Sequence, residues 1–160
     1  MSVVNTNIFM RHQTGFSLVE VMVALVVLSV GMIGIAALHG QSLSAGRTAQ
    51  YRSVAINLSA DMADRIRVNR LAEAAYGGAA ANNNCDPVAG GGVDCTPAQM
   101  AAHDLFVWNQ LVQQLLPNGQ AQVLFNAGTN PPTFTITVAW DEVGEAAPVQ
   151  HQIQLQQPTF

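Results

Sequence analysis

The sequence predicts an α+β protein: a long N-terminal helix, membrane-spanning in its first half, packed on a small antiparallel sheet, with an extra helix and a cysteine-bounded loop. Three observations carry this. Apolar residues concentrate in one uncharged run, Val21–Leu38. Helical spacing continues well beyond that run. Two segments near the C-terminus alternate apolar and polar residues with the period of a half-buried strand.

Composition bounds the function. The chain has 160 residues, and setting aside a membrane segment leaves roughly 120, enough for one domain. Charged residues make up 10%, against about 25% in ordinary soluble proteins. Mean hydropathy is +0.23. All six basic residues are arginines, set against ten acidic ones, for a net charge of −4. Nucleic-acid binding needs clustered Lys/Arg, so this balance excludes it. With 6% aromatic residues, a base-stacking platform is excluded as well.

From Phe16 to Leu38 there are 23 residues, about 34 Å of helix, against a hydrocarbon core about 30 Å thick. A secretory signal has a shorter apolar region, about 7–15 residues, and a small-residue cleavage site. Glu20 stands one turn into the run. A carboxylate in hydrocarbon costs at least ~2.5–3.5 kcal/mol, so it calls for a partner. Arg11-His12-Gln13-Thr14 precedes the span and stays cytoplasmic by the positive-inside rule. Gly15 marks the border. Residues 1–9 are uncharged and Met10-Arg11 opens a basic leader, which leaves Met1 and Met10 both open as starts.

Gly15-Phe16-Ser17-Leu18-Val19-Glu20 resembles the class III signal shared by type IV pilins and pseudopilins. The resemblance implies cleavage after Gly15 by a prepilin peptidase, N-methylation of Phe16, and docking of Glu20 onto the α-amine of Phe16 in a neighbouring subunit. Two buried opposite charges offset each other's desolvation better than either does alone.

Beyond the membrane, Tyr51, Val54, Ala55, Leu58, Met62 and Ile66 recur at i+3 and i+4 and make one helix face. Asp61 and Arg65 are spaced to pair, as are Asp64 and Arg67. Arg65, Arg67 and Arg70 favour the negative end of the helix dipole. No proline interrupts the chain from Phe16 to Tyr76, and Gly77-Gly78 is the first clear stop, so one helix is expected from Phe16 to about Ala75. Gly31 and Gly34 are its weak points, or places of close approach to another helix.

Tyr51-Arg52-Ser53, the stretch Ala60–Arg70, and Asp104 with Trp108 are similar to PilV-type minor pilins, also called type IV pilus modification proteins. That resemblance implies a type IV pilin-like fold. It also implies incorporation into pili, a part in priming assembly and in a tip complex, and hence in twitching motility and adhesion. The implied partners are the prepilin peptidase, an inner-membrane assembly platform, other minor and major pilins and a large tip adhesin. The implied location is the bacterial inner membrane, with the C-terminal domain in the periplasm, and then the pilus. On this organisation residues 1–15 are the leader, 16–39 the transmembrane half of the helix and 40–160 the exposed pilin domain. Neither catalysis nor a cofactor is implied. A type II secretion pseudopilin shares the anchor chemistry, and a membrane-anchored periplasmic binding module is a more distant alternative.

Residues 77–95 read as a glycine- and asparagine-rich loop. It carries the only two cysteines, Cys85 and Cys95. Export to an oxidising periplasm would pair them, at a gain of roughly 2–3 kcal/mol. A metal site lacks ligands, since no histidine pair lies nearby. Thr96-Pro97-Ala98-Gln99 then opens a helix with a capping box and proline at its first position. Leu105, Trp108, Leu111, Val112 and Leu115 form its apolar face, and Pro117-Asn118-Gly119 ends it. His103-Asp104 has the composition of an acid/base pair, but adjacent helical residues point about 100° apart and no nucleophile accompanies them.

Ala121–Asn126 reads as a short mixed strand. Thr133–Trp140 places Phe134, Ile136, Val138 and Trp140 on one face. Val149–Gln156 places Val149, His151, Ile153 and Leu155 opposite four glutamines, with His151 at the edge of the core. The acidic connection Asp141–Glu145 reads as a hairpin loop, either solvated or turned toward a partner.

Overall fold

The computed structural model describes residues 15–85 and 94–157. The leader residues Arg11–Thr14 and the centre of the cysteine loop lie outside them. The chain divides into two compact units, Met1–Ser44 and Ala45–Phe160.

The first unit is the apolar start of helix α1, Leu18–Val68. Its large side chains face outward all along the run, from Phe16 at 83% exposure through Leu25, Leu28 and Ile33 to Leu38. None of the apolar window is buried against the protein itself. Polar groups are satisfied within the helix: Ser29 donates its hydroxyl to the Val26 carbonyl at 2.7 Å, and His39 Nδ1 lies 2.9 Å from the Ile35 carbonyl. A helix built this way meets the demand that hydrocarbon places on backbone and side-chain polar groups.

In the second unit the remainder of α1 buries Ala55, Leu58, Met62 and Ile66 from the face the spacing predicts, adds Ser59 and Ala63, and leaves Tyr51 and Val54 half-buried. Ser59 is accommodated because its hydroxyl donates to the Ala55 carbonyl at 2.8 Å. A single helix to Ala75 does not form. α1 stops at Val68, and a 3-10 helix follows over Arg70–Gly77. Asn69 causes the break: its side-chain amide donates to the Pro97 carbonyl at 2.9 Å, and its backbone leaves helical geometry at φ −96°, ψ 59°. The tighter helix then turns Tyr76 inward to 1% exposure.

Helix α2, Pro97–Leu115, starts as its sequence dictates. Thr96 Oγ1 accepts from the Gln99 backbone and Gln99 Oε1 accepts from the Thr96 backbone, closing the capping box. Ala101, Leu105, Trp108 and Val112 are buried, whereas Leu115 is half exposed, because the helix ends there and the chain turns away. The turn needs a residue without a side chain at Gly119, where a Cβ would strike the Val112 carbonyl.

Strands β1 (Gln120–Asn126), β2 (Thr133–Trp140) and β3 (Val149–Gln156) form one antiparallel sheet in that order. Val123 pairs with Ile136, which pairs with Ile153. This register aligns the inward faces. Phe134, Ile136, Val138 and Trp140 are at most 2% exposed, and the inward residues of β3, His151 among them, are half-buried at the edge of the core. The core thus lies between the central strand and the packed faces of α1 and α2.

Candidate functional site

In the first unit the functional candidates sit at the start of α1. Gly15, Phe16 and Ser17 precede the first turn. Ser17 caps it: its hydroxyl oxygen accepts from the Glu20 backbone N–H at 3.2 Å, beside the Ser17 carbonyl at 3.1 Å. Glu20 therefore occupies the third helical position, where unsatisfied N–H groups and the helix dipole favour a carboxylate. Ser17-x-x-Glu20 has the spacing of a capping box, a signal our sequence reading did not use. Phe16 and Glu20 border one shallow apolar groove with Val21, Ala24, Leu25 and Leu28. An aromatic residue and a carboxylate thus share one face at the head of an exposed apolar helix, a surface of the kind that marks an interaction site.

In the second unit a charged network holds the two helices and the 3-10 helix together. Arg65 Nη1 donates to Asp104 Oδ1 and Arg65 Nε donates to Asp61 Oδ2, both at 2.9 Å. Tyr76 donates its hydroxyl to Asp104 Oδ2 at 2.6 Å, with the Arg65 carbonyl 3.2 Å away as a second acceptor. Burial opposes the charge on Arg65, but the hydrogen bonds and charges of Asp104 and Asp61 outweigh it and raise its pKa. Burial, reinforced by Asp104, pushes the Tyr76 phenol well above its ordinary range. Trp108 is fully buried and donates its indole N–H to the Leu58 carbonyl at 2.9 Å. Asp104 and Trp108 thus tie α2 to α1, directly and through Tyr76. His103 does not join Asp104: its ring stacks near Phe106, with centroids 6.5 Å apart. This network is structural bracing.

Cys85 and Cys95 form a disulfide, with Cα atoms 5.8 Å apart, closing the loop ahead of α2. The acidic connection after β2 is not simply solvated. Glu142 is 8% exposed, accepts from Trp140 Nε1 at 3.1 Å and pairs with Arg52 at 3.3 Å. Sequence pattern did not mark Glu142, because its partner Arg52 lies 90 residues away.

A long apolar N-terminal helix, a second helix, a three-stranded antiparallel sheet and a single disulfide together make the type IV pilin fold. Residues 37–106 match a family model described as type IV pilin Tt1218, and residues 10–36 match one described as the prokaryotic N-terminal methylation motif. The two matches support a pilin or pseudopilin role, processing by a prepilin peptidase and pilin partners in general. They also fit anchoring in the inner membrane, and the pilin family is structural rather than enzymatic. No curated protein and no solved structure matches the chain.

Proposed function

We propose that the protein is a minor pilin of the PilV type, taking part in the priming of type IV pilus assembly and in the tip complex. The observation that carries the pilin part of this reading is the head of α1. Immediately after Gly15 stand Phe16, a serine cap and a lone carboxylate, followed by an uncharged helical run with its apolar side chains outward. On this reading residues 1–15 are removed, Phe16 becomes the N-methylated first residue, and residues 16–39 cross the inner membrane with the C-terminal domain in the periplasm. Glu20 meets the Phe16 amine of a neighbouring subunit and sets the axial stagger. The minor-pilin part rests on the resemblance of residues 51–70, with Asp104 and Trp108, to PilV-type proteins. Its partners would be the assembly platform, other minor and major pilins and a tip adhesin.

Two measurements test it. Mass spectrometry of membrane-extracted protein should show N-methylated Phe16 as the first residue; an intact leader, or cleavage near Ala36-Ala37, refutes the processing. A deletion strain assayed for both piliation and type II secretion should lose surface pili and keep secretion. Loss of secretion with normal piliation would assign the chain to the pseudopilins instead.

A further inference from the structure

The outer face of the sheet, turned away from α1 and α2, is chemically uniform. The register aligns its outward residues in rows across the three strands: Gln120, Ala139 and Gln150, then Gln122, Thr137 and Gln152, with two further rows behind them. Apart from Leu124 and Ala139, every outward side chain is an amide or a hydroxyl, and none is charged or aromatic. β1 and β3 are the edge strands, and edge strands are commonly protected by charge, lysine above all. Here glutamines stand where those charges would.

One end of this face is concave. Ala139 is the small side chain of its row, between glutamines on both neighbouring strands. Gln120, Gln122, Thr137, Ala139 and Gln150 line a depression of about 370 Å³, a volume ordinary for a small-molecule site. The three glutamines are exposed, and their amides have no hydrogen-bond partner among the described residues. Each amide offers a carbonyl acceptor and an NH₂ donor. Asp141 stands one row beyond, outside the lining, with its carboxylate held by Asn118 Nδ2 at 2.7 Å.

These walls select the ligand. An anion calls for arginine or lysine and a metal cation for carboxylates; the depression is lined by neither. An apolar ligand would strip water from the amides and leave them unpaired. A neutral molecule dense in hydroxyls, each both donor and acceptor, meets the amides on both sides of Ala139. Outward residues recur about every 7 Å along a strand, so the four rows make a track about 20 Å long that can extend the same contacts to a chain of sugars.

The geometry points to a binding site for a neutral carbohydrate on the outer face of the sheet, with Gln120, Gln122 and Gln150 as its hydrogen-bonding residues and Ala139 as its floor. The site is independent of the proposed function: binding is read on the purified chain, without pili or secretion, so either can fail while the other stands.

Saturation-transfer NMR on the full-length protein tests it, in phosphocholine micelles so that no sugar-headed detergent competes. The probes are maltohexaose, cellohexaose, mannohexaose and chitohexaose, with hexagalacturonate as the charged counterpart and empty micelles as the blank. At least one neutral hexasaccharide should take up saturation, at least fivefold above hexagalacturonate. Ala139→Leu fills the depression and should cut that signal at least tenfold. Gln120→Ala combined with Gln150→Ala should cut it severalfold. Val143→Ser, on the loop after β2 and fully exposed, should leave it unchanged. Tryptophan emission checks that each variant is folded, since Trp108 and Trp140 are both core residues. The proposal is overturned if none of the four neutral probes takes up saturation, if hexagalacturonate does so equally, or if folded Ala139→Leu binds as the parent does.

Discussion

Truncating Asp104 to alanine should cost far more than truncating Asp64, although the Asp64 ion pair is the shorter of the two. Arg67 meets Asp64 at 2.6 Å, but both side chains are more than half exposed. Solvent screens such a pair, and it contributes about 0.3–0.5 kcal/mol. Arg65 meets Asp104 at 2.9 Å with exposures of 30% and 13%. Removing the Asp104 carboxylate strands two groups at once. Arg65 keeps Asp61, which softens its loss, and Tyr76 keeps the more distant Arg65 carbonyl as acceptor and the Asn69 amide as donor at 3.4 Å. An unsatisfied buried polar group costs about 1–3 kcal/mol, and breaking a buried ion pair about 3–5, so the partial compensation here places Asp104→Ala near 3 kcal/mol. Urea denaturation followed by tryptophan emission reads this unit selectively, since both tryptophans are in its core. With a slope of about 1.5 kcal/mol/M, the midpoint should fall by about 2 M for Asp104→Ala and by about 0.3 M for Asp64→Ala. Asp104→Asn keeps the shape and an acceptor but drops the charge, and should fall between them. A shift below about 0.5 M for Asp104→Ala, or equal shifts for the two alanine variants, would refute the assignment of Asp104 as the brace between α1 and α2.

Three further outcomes are expected. Tyr76 holds its proton more tightly folded than unfolded, so the stability tied to it is complete below the ordinary tyrosine pKa of about 10 and declines as pH rises through the higher folded value; Tyr76→Phe should flatten that alkaline decline and remove the latest step of tyrosinate absorbance at 295 nm, and an unchanged titration would argue against the Asp104 contact. Replacing both Cys85 and Cys95 by serine should cost roughly 3 kcal/mol, the entropy of a loop whose ends are 10 residues apart; calorimetry of reduced and oxidised protein checks this, and identical melting would show that the loop is held by other contacts. Glu20→Ala removes the only charge between Arg11 and Arg47 and should leave the span at least as stable in lipid; the variant should still be processed and membrane-bound, yet be depleted from sheared pili, and normal recovery in pili would mean that Glu20 is not the docking charge.

The sequence by itself determined the elements whose signals are local. The uncharged run after Glu20, the Thr96–Gln99 capping box and the Asp61–Arg65 pair are all set by residues within a few positions of one another. Strands β2 and β3 appear at their expected residues because a period of two leaves one choice of inward face. Pairing Cys85 with Cys95 required no choice, since the chain has no other cysteine. What only the tertiary structure decided depends on partners distant along the chain. Helix α1 ends at Val68 because Asn69 reaches the Pro97 carbonyl, 28 residues on, while helical propensity alone carried the pattern to Ala75. Helix geometry alone already separates Asp104 from His103, but only the fold shows that its carboxylate is claimed by Arg65, 39 residues earlier, and by Tyr76. Glu142 reads as a loop charge, solvated or turned toward a partner, and is instead buried against Trp140 and Arg52. In each case a hydrogen bond across the core outweighs a local preference of a few tenths of a kcal/mol, because leaving a buried polar group unmet costs about 1–3 kcal/mol.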